Sequence, residues 1–330
     1  TVVSGIRPTG MLHLGNYFGA VKNFLRMQNE FNCYFFIADY HSLTTHPNPA
    51  DLHGSVKRVL AEYIAMGLDP DKCTLFLQSD LSEIAELYLF LNMNAYMGEL
   101  EKVPTFKDKV RTQPENVNAG LLTYPTLMAA DILIHKGVKV PVGKDQEQHL
   151  EMARNFAKRF NHLYKVEYFP EPQPFNYNNS LIKIPGLSGA GKMSKSAGDK
   201  DCIYMSEPAD SLLKKIKGAV TDAGPTLPNS PKPESIQNIF ELMGLVSATD
   251  TIAHFEEAWN NCSIRYGDMK AKLAEDMESF IAPIRLRIND TINDDALLSK
   301  IAAQGAEKAR ASASETIKEV REIIGFRKFA

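Results

Sequence analysis

The chain has 330 residues, 44% of them hydrophobic and 23% charged, with a formal net charge of −3. That composition excludes wholesale disorder and is enough for two domains, or for one large domain with an appendage. The net charge gives no global attraction to a polyanion, so a nucleic-acid partner needs a local basic patch. Cys33, Cys73, Cys202 and Cys262 are far apart and form no C-x-x-C pair, which points to neither a zinc site nor a disulfide framework. The opening TVVSGIRPTG lacks a leader pattern, and no apolar run reaches the roughly 18 residues of a membrane span. A soluble cytoplasmic protein is the expectation.

In chain order, 2-VVSGI-6 reads as a short buried strand. Leu14, Phe18, Val21 and Leu25 recur at helical spacing and predict a helix as far as Phe31. The continuous apolar run 33-CYFFIA-38 predicts a second strand, ending in Asp39-Tyr40-His41. In 48-NPAD-51, Asn48 is an N-cap, Pro49 takes the first helical position and Asp51 the first turn, and that helix stops at Gly67. A third strand follows at 73-CTLFLQ-78, then an apolar helix near 82–93. This βαβαβ alternation predicts an α/β fold, a doubly wound parallel sheet of Rossmann type. Ser4, Asp39, His41 and Gln78 then lie along the edge where such sheets bind ligands. The stretch 86–103 is apolar on most of its circumference, as in a buried core helix or a subunit interface. Further strands are expected at 138–143 and 181–185. After about residue 206 the pattern is helical, broken at Gly218, at the Pro-rich 225–233, at Gly244 and at Gly267. From Asp294 a long helix or two follows, with a break at Gly305. The division expected is an α/β domain over 1–205 and an all-helical domain over 206–330.

Two stretches carry candidate chemistry. In 189-GAGKMSKSAGD-199 the glycines leave the backbone mobile, and Lys192 and Lys195 suit phosphate oxygens, so the loop reads as one that closes on a polyphosphate. The overlapping 186-GLSGAGKM-193 resembles a P-loop, but Met193 stands where a serine or threonine must ligate magnesium. Gly198 and Asp199 also interrupt the helix such a loop requires. At the other end, in 7-RPTGMLHLGNYFG-19, His13 and Asn16 share one helical face and Gly15 between them leaves room for a flat ring. The helix N-terminus there is a natural anion site.

Together, 13-HLGN-16 after the first strand and 192-KMSKS-196 near the end of the α/β domain resemble the signatures of the class I aminoacyl-tRNA synthetases. The stretches 119-AGLLTYPTLMAADILI-134 and 141-PVGKDQEQH-149 look like those of the tryptophanyl family within that class. The resemblance implies an ATP-dependent tryptophan–tRNA ligase, with His13, Asn16, Lys192 and Lys195 catalytic. It assigns Arg7, Pro8, Thr9, Gly15, Asn16, Gly143, Lys144, Asp145, Ile184, Lys192, Met193, Ser194, Lys195 and Ser196 to ATP, with Lys109 as a third lysine. It assigns Val3, His41, Tyr124, Met128, Asp131 and Gln146 to tryptophan, Tyr124 and Gln146 holding the ammonium.

Indole has one polar group, an N–H that only donates, so a tryptophan pocket wants an acceptor at the bottom of an apolar slot. Asp131, a lone acid in 127-LMAADILI-134, suits that role, with the Met128 thioether on the same face. The alternative is an acid solvated at a helix surface. Asn16, Arg7, Lys144 and Val3 stand where the resembled pattern often has histidine, glutamine, an acid and an aromatic. The resemblance also implies magnesium carried on ATP with no dedicated protein metal site, tRNA(Trp) as partner with its anticodon read by the helical domain, and a homodimer. A tyrosyl-tRNA synthetase would show a different Asp/Gln signature, and a silent RNA-binding paralogue has no need of both intact signatures.

Overall fold

The computed structural model describes residues 1–143, 146–177 and 183–326. Five parallel strands form the sheet: β1 (Val2–Ile6), β2 (Cys33–Ile37), β3 (Thr74–Leu77), β4 (Lys139–Val140) and β5 (Gln173–Pro174), in the order β3-β2-β1-β4-β5. β2 is buried throughout, as a strand covered on both faces must be. Its pleat feeds two cores. Cys33, Phe35 and Ile37 join one with Val2 and Leu75, whereas Tyr34 and Phe36 join the other with Val3 and Phe76. The helix Pro49–Ala65 covers the first face, its Asn48 side chain capping Ala50 N–H at 2.9 Å. Tyr124–Leu133 and Glu147–Tyr164 cover the second.

Several elements differ from the pattern in the sequence. The helix expected as far as Phe31 is widened by a π turn at Tyr17–Val21 and ends at Met27. The strand expected over 138–143 is only Lys139–Val140, since Pro141 has no N–H for the ladder. Of the strand expected at 181–185, Leu181 and Ile182 lie outside the described residues; the fifth strand is Gln173–Pro174. The apolar stretch 86–103 is not one buried helix. Ser82–Met93 ends where Asn94 turns its amide back onto Phe90 O at 3.0 Å, and a short turn, Met97–Leu100, follows. Ile84, Leu87 and Leu91 are buried, but Leu89, Met93, Tyr96 and Met97 are exposed.

Beyond residue 206 the described structure is helical: Ala209–Lys217, Glu234–Val246, Thr249–Asn260, Tyr266–Ile292 and Asp295–Ile324. Neither Gly244 nor Gly305 interrupts its helix, and Gly267 lies in the first turn of the next. Gly305 serves a close approach instead. A β-carbon there would stand 1.7 Å from Leu75 O, so the last helix rests directly on β3. It covers the open edge of the sheet, which would otherwise expose unpaired backbone.

Candidate active site

The strand order reverses between β1 and β4, and ligands of such sheets bind at the carboxyl ends of the strands beside that point. A cavity of about 430 Å³ opens there. It brings together Val3, Arg7, Asn16, His41, Tyr124, Met128, Asp131, Gly143 and Gln146, from five separate stretches of the chain. Lys144 and Asp145 lie outside the described residues.

Asp131 is at its floor, 2% exposed. His41 Nε2 lies 2.8 Å from Oδ2, and Gln78 Nε2 donates to Oδ1 at 2.6 Å. Burial raises the Asp131 pKa; the bonds from His41 and Gln78 act in the opposite direction. The acid is therefore partnered, not solvated. A carboxylate has about four acceptor positions, so two remain after these bonds. The His41 ring stands 4.3 Å from that of Tyr124, which stands 5.4 Å from that of His149. His149 in turn bonds Gln146 Oε1 and Thr105 Oγ1, each at 2.8 Å. The floor acid and the residues expected at the ammonium thus belong to one packed chain of side chains. Gln78 is expected from the sequence only as a residue along the binding edge, without a role, and His149 is absent from the site residues read from the sequence, though it is three residues past Gln146 in the quoted 141–149 stretch.

A second cavity, of about 170 Å³, shares Arg7, Tyr124 and Gln146 with the first and adds Lys109, Thr44 and Thr45. Two cations and two hydroxyls suit an anion. Arg7 Nε is buried with no hydrogen-bond partner among the described residues, a costly donor to leave unpaired.

Asn16 of the first signature lines the larger cavity, and the two signature segments are held against each other. His13 N–H donates to Asn16 Oδ1 at 3.0 Å and His13 O accepts Asn16 N–H at 2.8 Å, closing the first turn of the helix. At Gly15 a β-carbon would lie 2.8 Å from His13 Cε1, so glycine makes room for the ring. Leu14 N–H donates to Ile203 O and Met205 N–H to Leu12 O, at 2.9 and 2.8 Å, so the segment after the second signature is pinned antiparallel to the first. Ile184 O accepts Met193 N–H at 2.8 Å, and the buried Met193 side chain anchors the loop. Ser194 Oγ accepts Ser196 N–H. Gly189, Gly191 and Gly198 all have positive φ. Lys192 is exposed, whereas Lys195 reaches across to Thr9 O at 3.0 Å, beside the buried Pro8. Burial and then the Lys195 charge lower His13 to about 4, which keeps the imidazole neutral near pH 7.

The family model described as tRNA synthetases class I (W and Y) matches residues 1–282. The tryptophan–tRNA ligase of Porphyromonas gingivalis is 59% identical over 327 residues, covering 99% of both chains. The chain belongs to the tryptophanyl-tRNA synthetase family, class I. The tryptophan–tRNA ligase of Caulobacter vibrioides is 40% identical over 98% of this chain. The structure of the tryptophanyl-tRNA synthetase from Campylobacter jejuni complexed with ADP and tryptophan aligns with a TM-score of 0.88 at 34% identity, covering 98% of this chain and 99% of that one. The chain is thus a class I synthetase over its full length, with the parallel sheet and long C-terminal helices of the fold. No described helix is long and apolar enough to cross a membrane. The basic run between 154 and 159 is engaged locally: Arg154 pairs with Glu151, Lys158 with Glu171 and Arg159 with Glu99.

Proposed function

We propose that this chain joins tryptophan to tRNA(Trp) in two steps. The tryptophan carboxylate attacks the α-phosphorus of Mg-ATP, an O–P bond forms, the bond to the β-phosphate oxygen breaks, and magnesium pyrophosphate leaves. A hydroxyl of the terminal adenosine of tRNA then attacks the adenylate carbonyl and releases AMP. No protein nucleophile is required; positioning and charge stabilisation carry the first step. The indole N–H donates to Asp131, with Val3, His41 and Met128 as walls, while Tyr124 and Gln146 take the ammonium. His13, Asn16, Lys192 and Lys195 act on the phosphates, with Arg7, Lys109 and the residues of 192-KMSKS-196 on the triphosphate. Thr9, Gly15, Gly143, Lys144, Asp145 and Ile184 complete the nucleotide site. The magnesium arrives with ATP as part of the substrate.

The observation that carries this reading is the buried acceptor of a cavity that Asn16 of the first signature lines, with the second signature held against the same segment through Lys195 and Thr9. Residues 206–330 form the part that reads the anticodon, and 1–205 the catalytic part. Leu89, Met93, Tyr96 and Met97 are exposed large apolar side chains within one nine-residue stretch. Such a patch supports a homodimer. Cys33, Cys73 and Cys202 are buried and unbridged, which fits work in the cytoplasm. The test is ATP–pyrophosphate exchange with tryptophan, tyrosine and phenylalanine in turn. Exchange with tryptophan alone is expected; exchange with tyrosine alone, or none at all, overturns the reading.

A further inference from the structure

Leu12, immediately before His13, donates its backbone N–H to Glu62 Oε2 at 2.7 Å. Glu62 lies near the end of the helix Pro49–Ala65 and is wholly buried, among the buried apolar neighbours Val59, Leu60, Ala61 and Tyr63. An apolar residue would serve the packing there, so a carboxyl group at that position carries a desolvation cost. Its Oε1 has no hydrogen-bond partner among the described residues. Arg58 Nη1, on the same helix, pairs with Oε1 at 3.9 Å, too far for a hydrogen bond. Ser206, with a buried hydroxyl, stands beside it. A second facing charge is Lys195, which belongs to the 192-KMSKS-196 loop and bonds Thr9 O, three residues before the Leu12 that Glu62 holds. The helix Tyr266–Ile292 also packs against Pro49–Ala65, but its Arg287 bonds Ala65 O instead. Burial pushes Glu62 up to about 7, so its charge changes near neutral pH.

We propose that Glu62 is a positioning residue for adenylate formation: a buried counter-charge that competes with the ATP triphosphate for Lys195 while its other oxygen holds the turn leading into His13. The inference rests on the reaction proposed above. A single ammonium cannot lie fully on two anions. Ionised Glu62 draws Lys195 toward the Thr9–Leu12 turn, and neutral Glu62 leaves it to the phosphates. Lys195 is expected to act mainly in the transition state, so the effect falls on kcat more than on the KM for ATP.

The experiment is tryptophan-dependent ATP–pyrophosphate exchange by the full chain as a function of pH, with Glu62→Gln, Lys195→Ala and the double variant. Glutamine keeps the acceptor for Leu12 N–H and removes the charge. At pH 8 Glu62→Gln is expected to raise kcat about threefold or more, a modest coupling for charges in one network. The ratio to wild type should fall toward one below pH 7, where wild-type Glu62 is itself neutral. In the Lys195→Ala background Glu62→Gln should change nothing. A ratio independent of pH, or an equal effect in both backgrounds, overturns the proposal and leaves Glu62 a structural acid. If Glu62→Gln fails to fold, Lys195→Ala against wild type carries the test: its loss of kcat should be greater at pH 6 than at pH 8, and an equal loss overturns the proposal. Absence of exchange in the wild type would instead overturn the assigned reaction.

Discussion

His41 Nε2 and Asp131 Oδ2 lie 2.8 Å apart with both side chains almost wholly buried. His41 Nδ1 has no partner among the described residues, so the ring is held through Nε2 on the acid. With Gln78 donating to the other oxygen, Asp131 is held in one orientation before any indole arrives. Asp131→Ala leaves both donors without an acceptor and should cost about 1–3 kcal/mol of stability for each of them. It should also narrow the kcat/KM preference for tryptophan over phenylalanine by about 10- to 100-fold, since phenylalanine is rejected for leaving the acceptor unpaired. Asp131→Asn can still accept one bond and should fall between. Exchange assays with both amino acids measure this, and full discrimination by Asp131→Ala would remove Asp131 from the pocket.

Lys195→Ala should lower kcat and kcat/KM for ATP together, because the contact is expected to be strongest as pyrophosphate leaves. Loss of such a charge contact costs on the order of 2–4 kcal/mol, a rate loss of about 30- to 1000-fold. The same variant has a second readout. The Lys195 charge helps to hold His13 at about 4, so its removal should move the imidazole upward, though burial keeps it below the ordinary value. Titration of the His13 ring proton resonances follows this. A normal kcat with only a raised KM for ATP would make the loop a simple binding element.

Gly305→Ala sets two effects against each other. Alanine is the better helix former by about 0.8–1.0 kcal/mol. Its β-carbon, however, would stand 1.7 Å from Leu75 O, and neither the backbone of β3 nor that of the helix can yield as a side chain does. Overpacking of this kind costs about 1–3 kcal/mol or more. A net loss of stability in urea unfolding is expected; a gain would mean that the helix does not rest on the strand.

Gly305 also illustrates what the sequence conceals. A glycine inside a helical pattern reads equally as a break or as a close approach, and the deciding atom, Leu75 O, lies far away along the chain. The strand Gln173–Pro174 has no apolar run and exists only because β4 offers it a partner. By contrast, Cys33–Ile37 and the helix after Asn48 were legible because burial on both faces and capping are local properties. The site divides in the same way. The signatures 13-HLGN-16 and 192-KMSKS-196 concentrate their chemistry within a few residues. The bond from Lys195 to Thr9 spans 186 positions and that from Gln78 to Asp131 spans 53, and nothing local announces either.

His135 supplies a stability test with a definite sign. Its ring stacks on Tyr34 at 4.1 Å, meets the edge of Phe76 at 5.6 Å, and places Nδ1 3.3 Å from Ser312 Oγ on the last helix. Burial lowers it to about 3, against about 6.5 in an unfolded chain. Between those values the unfolded chain holds one more proton than the folded one, so stability rises with pH. The contribution is fully present above about pH 6.5 and is lost as pH falls toward 3, by up to about 1.4 kcal/mol per pH unit. His13, also lowered, adds to the same slope. His135→Phe keeps an aromatic ring between Tyr34 and Phe76 but cannot take up a proton. Urea unfolding of both proteins between pH 4.5 and 7.5 should therefore give a shallower acid-side slope for the variant, even if loss of the Ser312 bond lowers its stability at pH 7.5. Equal slopes would mean that His135 is protonated in the folded protein as readily as in the unfolded one.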